Sequence, residues 1–262
     1  MKDNPKTNHN EKIIEQFSKQ ALPFTKIKGH YDSVDTIMML SRVSKNDEVL
    51  DLACGTGILS CEFAKHAKSV VGLDITSAMI EQAIKMQEEN GLANIQFHIE
   101  SVEKLAYKDN SFDIVVTRYS FHHFLDTQTV LNEMIRVCKP NGKIIVVDVA
   151  LEDKYANAYN EMERLRDPSH TKALTFKEFH ALFSNKALSN HKKSSYKVDL
   201  ELESQLKASF PNKGDEDKIR KIFKSDVETN SLGMNTHLEY GEVHFSYPIT
   251  IFVASKLRYN PA

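Results

Sequence analysis

The run Val49-Leu50-Asp51-Leu52-Ala53-Cys54-Gly55-Thr56-Gly57 leads from an apolar, strand-like segment into a helix-like one that starts near Ile58. Small residues at 53, 55 and 57 let the backbone turn tightly and approach a ligand without Cβ clashes. The free N–H groups of a helix start behind them favour a polar or anionic group. A plain strand-to-helix turn reads the same way when it stands alone. Asp74 ends the next apolar run, where a carboxylate can accept both hydroxyls of a ribose. NAD enzymes share that pairing, so it does not name the cofactor. The dinucleotide fingerprint G-x-G-x-x-G is broken by Ala53 and Ile58, which counts against hydride transfer.

His122 and His123 follow the fourth apolar run, and either imidazole can act as a general base near neutral pH. Packing on a cofactor or fixing a loop is the alternative for each, with His123 placed on the cofactor side. His9, His66, His180 and His191 read as surface residues, and Lys192-Lys193 is too short a basic run to imply nucleic acid. Asp148 alone makes no carboxylate cluster for a metal, and Cys54, Cys61 and Cys138 form neither a C-x-x-C pair nor an even framework. No metal is expected.

These groups need a scaffold, and the hydrophobic pattern supplies one. Glu48–Ala53, Ser69–Asp74, Asn94–Ile99, Phe112–Thr117 and Lys143–Ala150 are short β-rich runs, separated by helical stretches at 58–67, 77–90 and 127–138 and a weak turn at 102–106. Strands alternating with helices predict βαβ units and a parallel sheet, whose ligand crevice lies at the carboxyl ends of the strands. Asn90-Gly91 and Pro140-Asn141-Gly142 mark helix ends and turns. Residues 1–10 are polar and expected to fray, and short helices are expected at 11–17 and 32–40. Beyond Ala150 the pattern predicts helices at 152–165, 175–188 and 215–227 and strands at 194–202 and 245–256.

The fold class expected is therefore α/β, Rossmann-like and doubly wound, with a mostly parallel seven-stranded sheet. The divisions expected are an N-terminal helical cover (1–44), a cofactor-binding core (45–150), and cap elements plus the last two strands (151–262). With 34 basic and 36 acidic side chains the formal charge is -2, and no global field draws the chain to nucleic acid or an anionic membrane. Neither a signal-like segment nor a membrane-length apolar run occurs, and with the cysteine usage this predicts a cytoplasmic protein, monomeric or homodimeric, without membrane insertion.

VLDLACGTG (49–57), VVGLDIT (70–76) with Met79, SFDIVVTRYSFHHF (111–124) and VCKPNGKIIVVDV (137–149) stand in the order and spacing of the class I S-adenosylmethionine-dependent methyltransferases, which this chain resembles over about residues 12–190. The resemblance is greatest to the branch of ubiquinone/menaquinone-biosynthesis and small-molecule methyltransferases. It implies S-adenosyl-L-methionine as cofactor and a small-molecule acceptor. It also implies that Asp51, Gly55 and Gly57 hold the amino-acid end of the donor, with Ala53 in place of the family's first glycine, and that Asp74 holds the ribose. Ile75 and Met79 would flank adenine, Glu100, Ser101 and Val102 would read its edge, and Arg118 would stand beside the donor.

Arg118-Tyr119-Ser120-Phe121 differs from the Asn/Asp-Pro-Pro-aromatic motif of enzymes that methylate nucleic-acid amino groups. Glu163-Arg164-Leu165-Arg166-Asp167-Pro168-Ser169-His170 resembles a sub-branch of small-molecule enzymes, which would bring Arg166 or His170 to an acceptor; a solvated helix end is the alternative. Phe17, Phe24, His30 and Tyr31 fall where the family places a helical cover. Transfer to an O, N or C atom of a small molecule is the expected reaction. Transfer to RNA or protein, and a non-catalytic S-adenosylmethionine-binding module, are the alternatives.

Overall fold

The computed structural model describes residues 5–24 and 33–258. His30 and Tyr31 lie outside the described residues, as does the side chain of Phe24. Two helices, α1 (Pro5–Phe24) and α2 (Val34–Ser41), precede the sheet. The expectation that residues 1–10 fray fails for Pro5–Asn10, which belong to α1. Proline suits the first helical turn, where its missing N–H removes no bond. The helix then packs against neighbours instead of solvent, because its apolar stripe includes Ile13 and Phe17.

The central unit runs β1 (Glu48–Leu52), α3 (Ile58–Ala64), β2 (Ser69–Asp74), α4 (Ser77–Glu89), β3 (Ile95–Ile99), β4 (Phe112–Arg118), α5 (Thr127–Val137) and β5 (Cys138–Leu151). The remainder is α6 (Ala156–Arg166), β6 (Leu174–Thr175), α7 (Phe176–Phe183), β7 (Leu188–Glu201), α8 (Leu202–Ser209), α9 (Asp215–Thr229), β8 (His237–Glu239) and β9 (Glu242–Lys256). The sheet order is β3-β2-β1-β4-β5-β9-β7, with the short β6 on β5 and β8 on β9. Seven strands thus form the main path, and the two short ones bring the sheet to nine. Strands β1 to β5 pair in parallel, whereas β9 is antiparallel to both β5 and β7.

Both faces are covered, as parallel pairing requires. Along β5, Ile145, Val147 and Val149 pack into one apolar cluster, and Ile144, Val146 and Ala150 into the other. The order reverses between β1 and β4, which opens a crevice above their carboxyl ends. Among the described residues no helix is long and apolar enough to cross a membrane.

Several boundaries differ from the expected ones. The helix expected over 175–188 stops at Phe183: a capping box between Thr175 and Glu178 starts it. Strand β7 begins six residues earlier than the expected 194, because His191, Lys192 and Lys193 lie on an edge strand, where charge is tolerated and discourages further pairing. Residues 152–155 precede α6 instead of joining it. The α8 helix is new, capped by Glu201, whose carboxylate accepts from Ser204 N at 2.8 Å. Residues 139–142 form an irregularity within β5, where the β4–β5 register jumps from Phe112/Cys138 to Ile114/Lys143.

Candidate active site

The turn after β1 is shaped by left-handed backbone at Ala53 (φ 51°), Gly55 (φ 54°) and Gly57 (φ 80°). The two glycines do different work. A Cβ on Gly55 would meet nothing within 4 Å, so its face opens on a cavity, while one on Gly57 would stand 2.9 Å from the Ala83 Cβ and 3.1 Å from the Phe97 ring. Gly57 therefore lets α3 and α4 close on the sheet. Asp74 clamps the turn: its carboxylate accepts from Gly55 N at 3.0 Å and from Thr76 N at 2.9 Å.

The cavity above this turn encloses about 1050 Å³ including its mouth. Of the sequence-predicted donor residues, Asp51, Ala53, Gly55, Asp74, Ile75, Met79, Glu100, Ser101, Val102 and Arg118 line it, and Gly57 does not. Asp51 is 1% exposed and accepts from Ser60 Oγ at 2.6 Å. Burial, aided by the nearby Asp74, pushes its carboxyl up to about 7 against the opposing pull of Ser60 and Arg118. Burial likewise raises Asp74 against its backbone hydrogen bonds. Two carboxylates held this way favour a ligand rich in hydrogen-bond donors or positive charge. Arg118 adds the opposite need, since its buried Nη1 has no hydrogen-bond partner among the described residues. Ribose hydroxyls, an ammonium and a carboxylate on one ligand satisfy all three groups, so the residues present fit S-adenosylmethionine.

The chain after β4 turns sharply at Tyr119 (φ 57°) into a single 3-10 turn, Phe121–His123. His123 is 5% exposed, with Nδ1 3.1 Å from the Ser169 carbonyl oxygen; that oxygen only accepts, so Nδ1 carries the hydrogen. Burial, and then the neighbouring His122, lower its pKa well below the usual imidazole range. His122 Nδ1 donates to Asp148 Oδ1 at 2.7 Å. Burial alone would lower the pKa of His122, but the Asp148 carboxylate outweighs it and the net shift is upward. His9, expected on the surface, instead lines the cavity and donates from Nε2 to the His123 carbonyl oxygen at 2.7 Å.

A second cavity of about 680 Å³ adjoins the first, and Phe17, Tyr119 and His123 line both. His122 lines the second alone. Its far wall is an ionic network: Glu163 and Arg166 pair at 2.6 Å with side chains 2% and 12% exposed, and Tyr247 Oη donates to Glu163 Oε1 at 2.9 Å. Arg166 Nη1 reaches Ser209 Oγ at 3.0 Å. His170 lines neither cavity. It is buried behind the other imidazoles, its ring 5.5 Å from that of His122, with Nε2 donating to Asn160 Oδ1 at 2.7 Å. Burial first, and then His122 and His123, lower its pKa.

The structure thus gathers His122 and His123 at the junction of the cavities and sets His170 apart. Sequence reasoning missed Gln20, Tyr159, Glu163 and Tyr247 as wall residues. Their signals were present: Gln20 extends the Ile13–Phe17 helical stripe, and Tyr247 alternates with Phe245 and Ile249 along β9.

A doubly wound sheet with a cavity at its switch point, carrying the four linked motifs, defines a class I S-adenosylmethionine-dependent methyltransferase. More particularly, the chain belongs to the methyltransferase domain family, whose profile matches residues 43–225. It is 32% identical over 195 residues to the uncharacterized methyltransferase YcgJ of Bacillus subtilis, covering 73% of this chain and 77% of that one. The crystal structure of YcgJ superposes with a TM-score of 0.80 at 25% identity, covering 87% of this chain and 99% of YcgJ. A demethylmenaquinone methyltransferase of Lactobacillus johnsonii is 32% identical over 144 residues, a match that covers 48% of this chain and only 59% of that relative.

Proposed function

We propose that this enzyme transfers the methyl group of S-adenosylmethionine to an O, N or C atom of a small, partly apolar molecule held in the second cavity. The observation that carries this reading is the shared wall: Phe17, Tyr119 and His123 border both the donor cradle and an adjoining chamber whose aliphatic and aromatic side chains end against the Glu163–Arg166 pair. A chamber of about 680 Å³ suits a small molecule.

When bound, S-adenosylmethionine supplies an electrophilic methyl group on a sulfonium. Asp74 would take the ribose hydroxyls, Asp51 the ammonium and Arg118 the carboxylate. Ile75 and Met79 would face adenine, with Glu100, Ser101 and Val102 at its edge, while Ala53 and Gly55 admit the ligand backbone-close. The chain's own contribution to rate is alignment of donor and acceptor across the Tyr119–His123 junction. His122 would be the general base: Asp148 holds Nδ1–H and so leaves Nε2 as the proton acceptor. His123, kept neutral, would pack between donor and acceptor, and His170 would be a positioning residue behind both.

Calorimetry of S-adenosylhomocysteine against NAD, followed by mass-spectrometric detection of methylated product across a panel of phenols, amines and quinone precursors, tests the proposal. Binding of S-adenosylhomocysteine alone and methylation of at least one compound are expected. A protein that binds the donor and methylates only RNA or protein would overturn the small-molecule reading.

A further inference from the structure

The Gln20 side chain lies on the wall of the second cavity and is 0% exposed. Its Nε2 donates to the Ser209 carbonyl oxygen at 3.0 Å, a carbonyl that also receives the Gln16 amide. That contact fixes which way the amide faces, because a flipped amide would set oxygen against oxygen. The other end, Gln20 Oε1, is buried without a hydrogen-bond partner among the described residues. A buried amide oxygen left unpaired is costly, and buried polar atoms of this kind ordinarily have a partner.

The surrounding charges say what that partner can be. Glu163 and Asp167 line the same chamber and face one guanidinium, Arg166, whose Nε, Nη1 and Nη2 already bond Glu163 and Ser209. Tyr247 spends its hydroxyl hydrogen on Glu163. This end of the chamber thus sets the oxygens of Gln20, Glu163 and Asp167 beside a guanidinium already paired with Glu163, an arrangement that favours a hydrogen-bond donor over a further anion. Phe17, Tyr159, Val198 and Ile249 make much of the remaining wall apolar, with His122, His123 and Gln205 as its polar members.

We infer that Gln20 is a specificity-determining residue, and that the methyl acceptor is an uncharged, largely apolar molecule presenting a hydroxyl or N–H hydrogen to Gln20 Oε1, at a point other than the atom methylated. The inference rests on the second cavity being the acceptor chamber. Gln20, Glu163, Arg166 and Tyr247 border that chamber alone, whereas Tyr119 and His123 border the donor cavity as well. The recognised donor group therefore sits on the chamber side of the junction, where Gln20 and Arg166 both bond Ser209. A site that hydrogen-bonds a ligand hydroxyl discriminates against the analogue that lacks it, because the site's own polar atom is then left unpaired.

The test uses the full chain saturated with S-adenosylhomocysteine and matched two-ring probes: 2,6-dihydroxynaphthalene, 6-amino-2-naphthol, 6-methoxy-2-naphthol and 6-hydroxy-2-naphthoate. Calorimetry is expected to show the first two binding about 10-fold or more tightly than the methoxy probe, and the naphthoate weakest. Gln20→Met should bring the hydroxyl and methoxy probes to within about 2-fold of each other. S-adenosylhomocysteine affinity verifies that the variant is folded. Probes that bind with equal affinity to the unmodified protein, or a preference that survives in Gln20→Met, would overturn the Gln20 assignment alone. Failure of all four probes to bind would overturn the acceptor-chamber reading with it.

Discussion

Asp74 joins two tasks in one carboxylate, since its oxygens hold the Gly55 and Thr76 amides and face the donor cavity. Asp74→Ala should weaken S-adenosylhomocysteine binding about 10- to 100-fold, the scale of losing hydrogen bonds to a charged group. Calorimetry checks this, and unchanged affinity would remove Asp74 from the ribose. The His122–Asp148 pair makes a pH prediction. A base must be neutral to act, so acceptor methylation should rise with pH through a pKa above the usual imidazole value of about 6.5. Asp148→Asn removes the carboxylate that raises His122, and the rising limb should move to lower pH; a limb that stays in place would rule out His122. The stability sign follows from the same shift. A histidine whose pKa is raised by folding contributes stability that is complete below the unfolded value and lost as pH rises through the folded one.

At the scale of elements, the turn between β1 and α3 separates stability from binding. Gly57→Ala would drive a Cβ against Ala83 and Phe97 on a backbone with φ 80°, and a loss of about 1–3 kcal/mol is expected in urea unfolding. Gly55→Ala meets nothing within 4 Å, so it should cost only the left-handed strain of about 1–2 kcal/mol while narrowing the donor cavity. Donor affinity should therefore fall more for Gly55→Ala than for Gly57→Ala. These central elements were legible because short, near-continuous apolar runs alternate with helical-period stretches from Glu48 to Leu151. The lining of the first cavity was legible for the same reason: Asp51, Asp74 and Arg118 sit at the ends of β1, β2 and β4.

The second cavity was not. Gln20, His122, Glu163 and Tyr247 come from four segments far apart in sequence, and their meeting depends on where α1, α6 and β9 pack. Local pattern misjudged α1 in two ways. It ended the first helix at Phe17, short of Gln20, because Pro23 and polar residues interrupt the stripe, although tertiary contact carries the helix to Phe24. It also placed His9 on the surface, since nothing near His9 in the chain announces the His123 carbonyl across the fold.

At the scale of the whole molecule, donor binding and folding are linked, because the cradle exists only in the folded sheet. S-adenosylhomocysteine at about 100 times its Kd should stabilise the protein by about 2.7 kcal/mol, or about 5–10 °C in Tm for a chain of this size. Thermal unfolding measures the shift, and NAD at equal concentration should leave Tm unchanged. A formal charge of -2 further predicts that any weak association with RNA is abolished by moderate salt, as read by filter binding.

The position of β9 has a consequence for the birth of the protein. Glu242–Lys256 lies between β5 and β7, although both of those strands leave the ribosome first. Until β9 arrives, Lys143–Val149 offers its open hydrogen-bonding edge to solvent, and Leu188–Glu201 has no strand to join. The nascent chain therefore carries an apolar, unpaired edge from the completion of β5 until β9 is made, the condition in which strands aggregate and chaperones are engaged. The sheet is completed by threading a late strand into a waiting gap, so its final closure follows the emergence of Lys256.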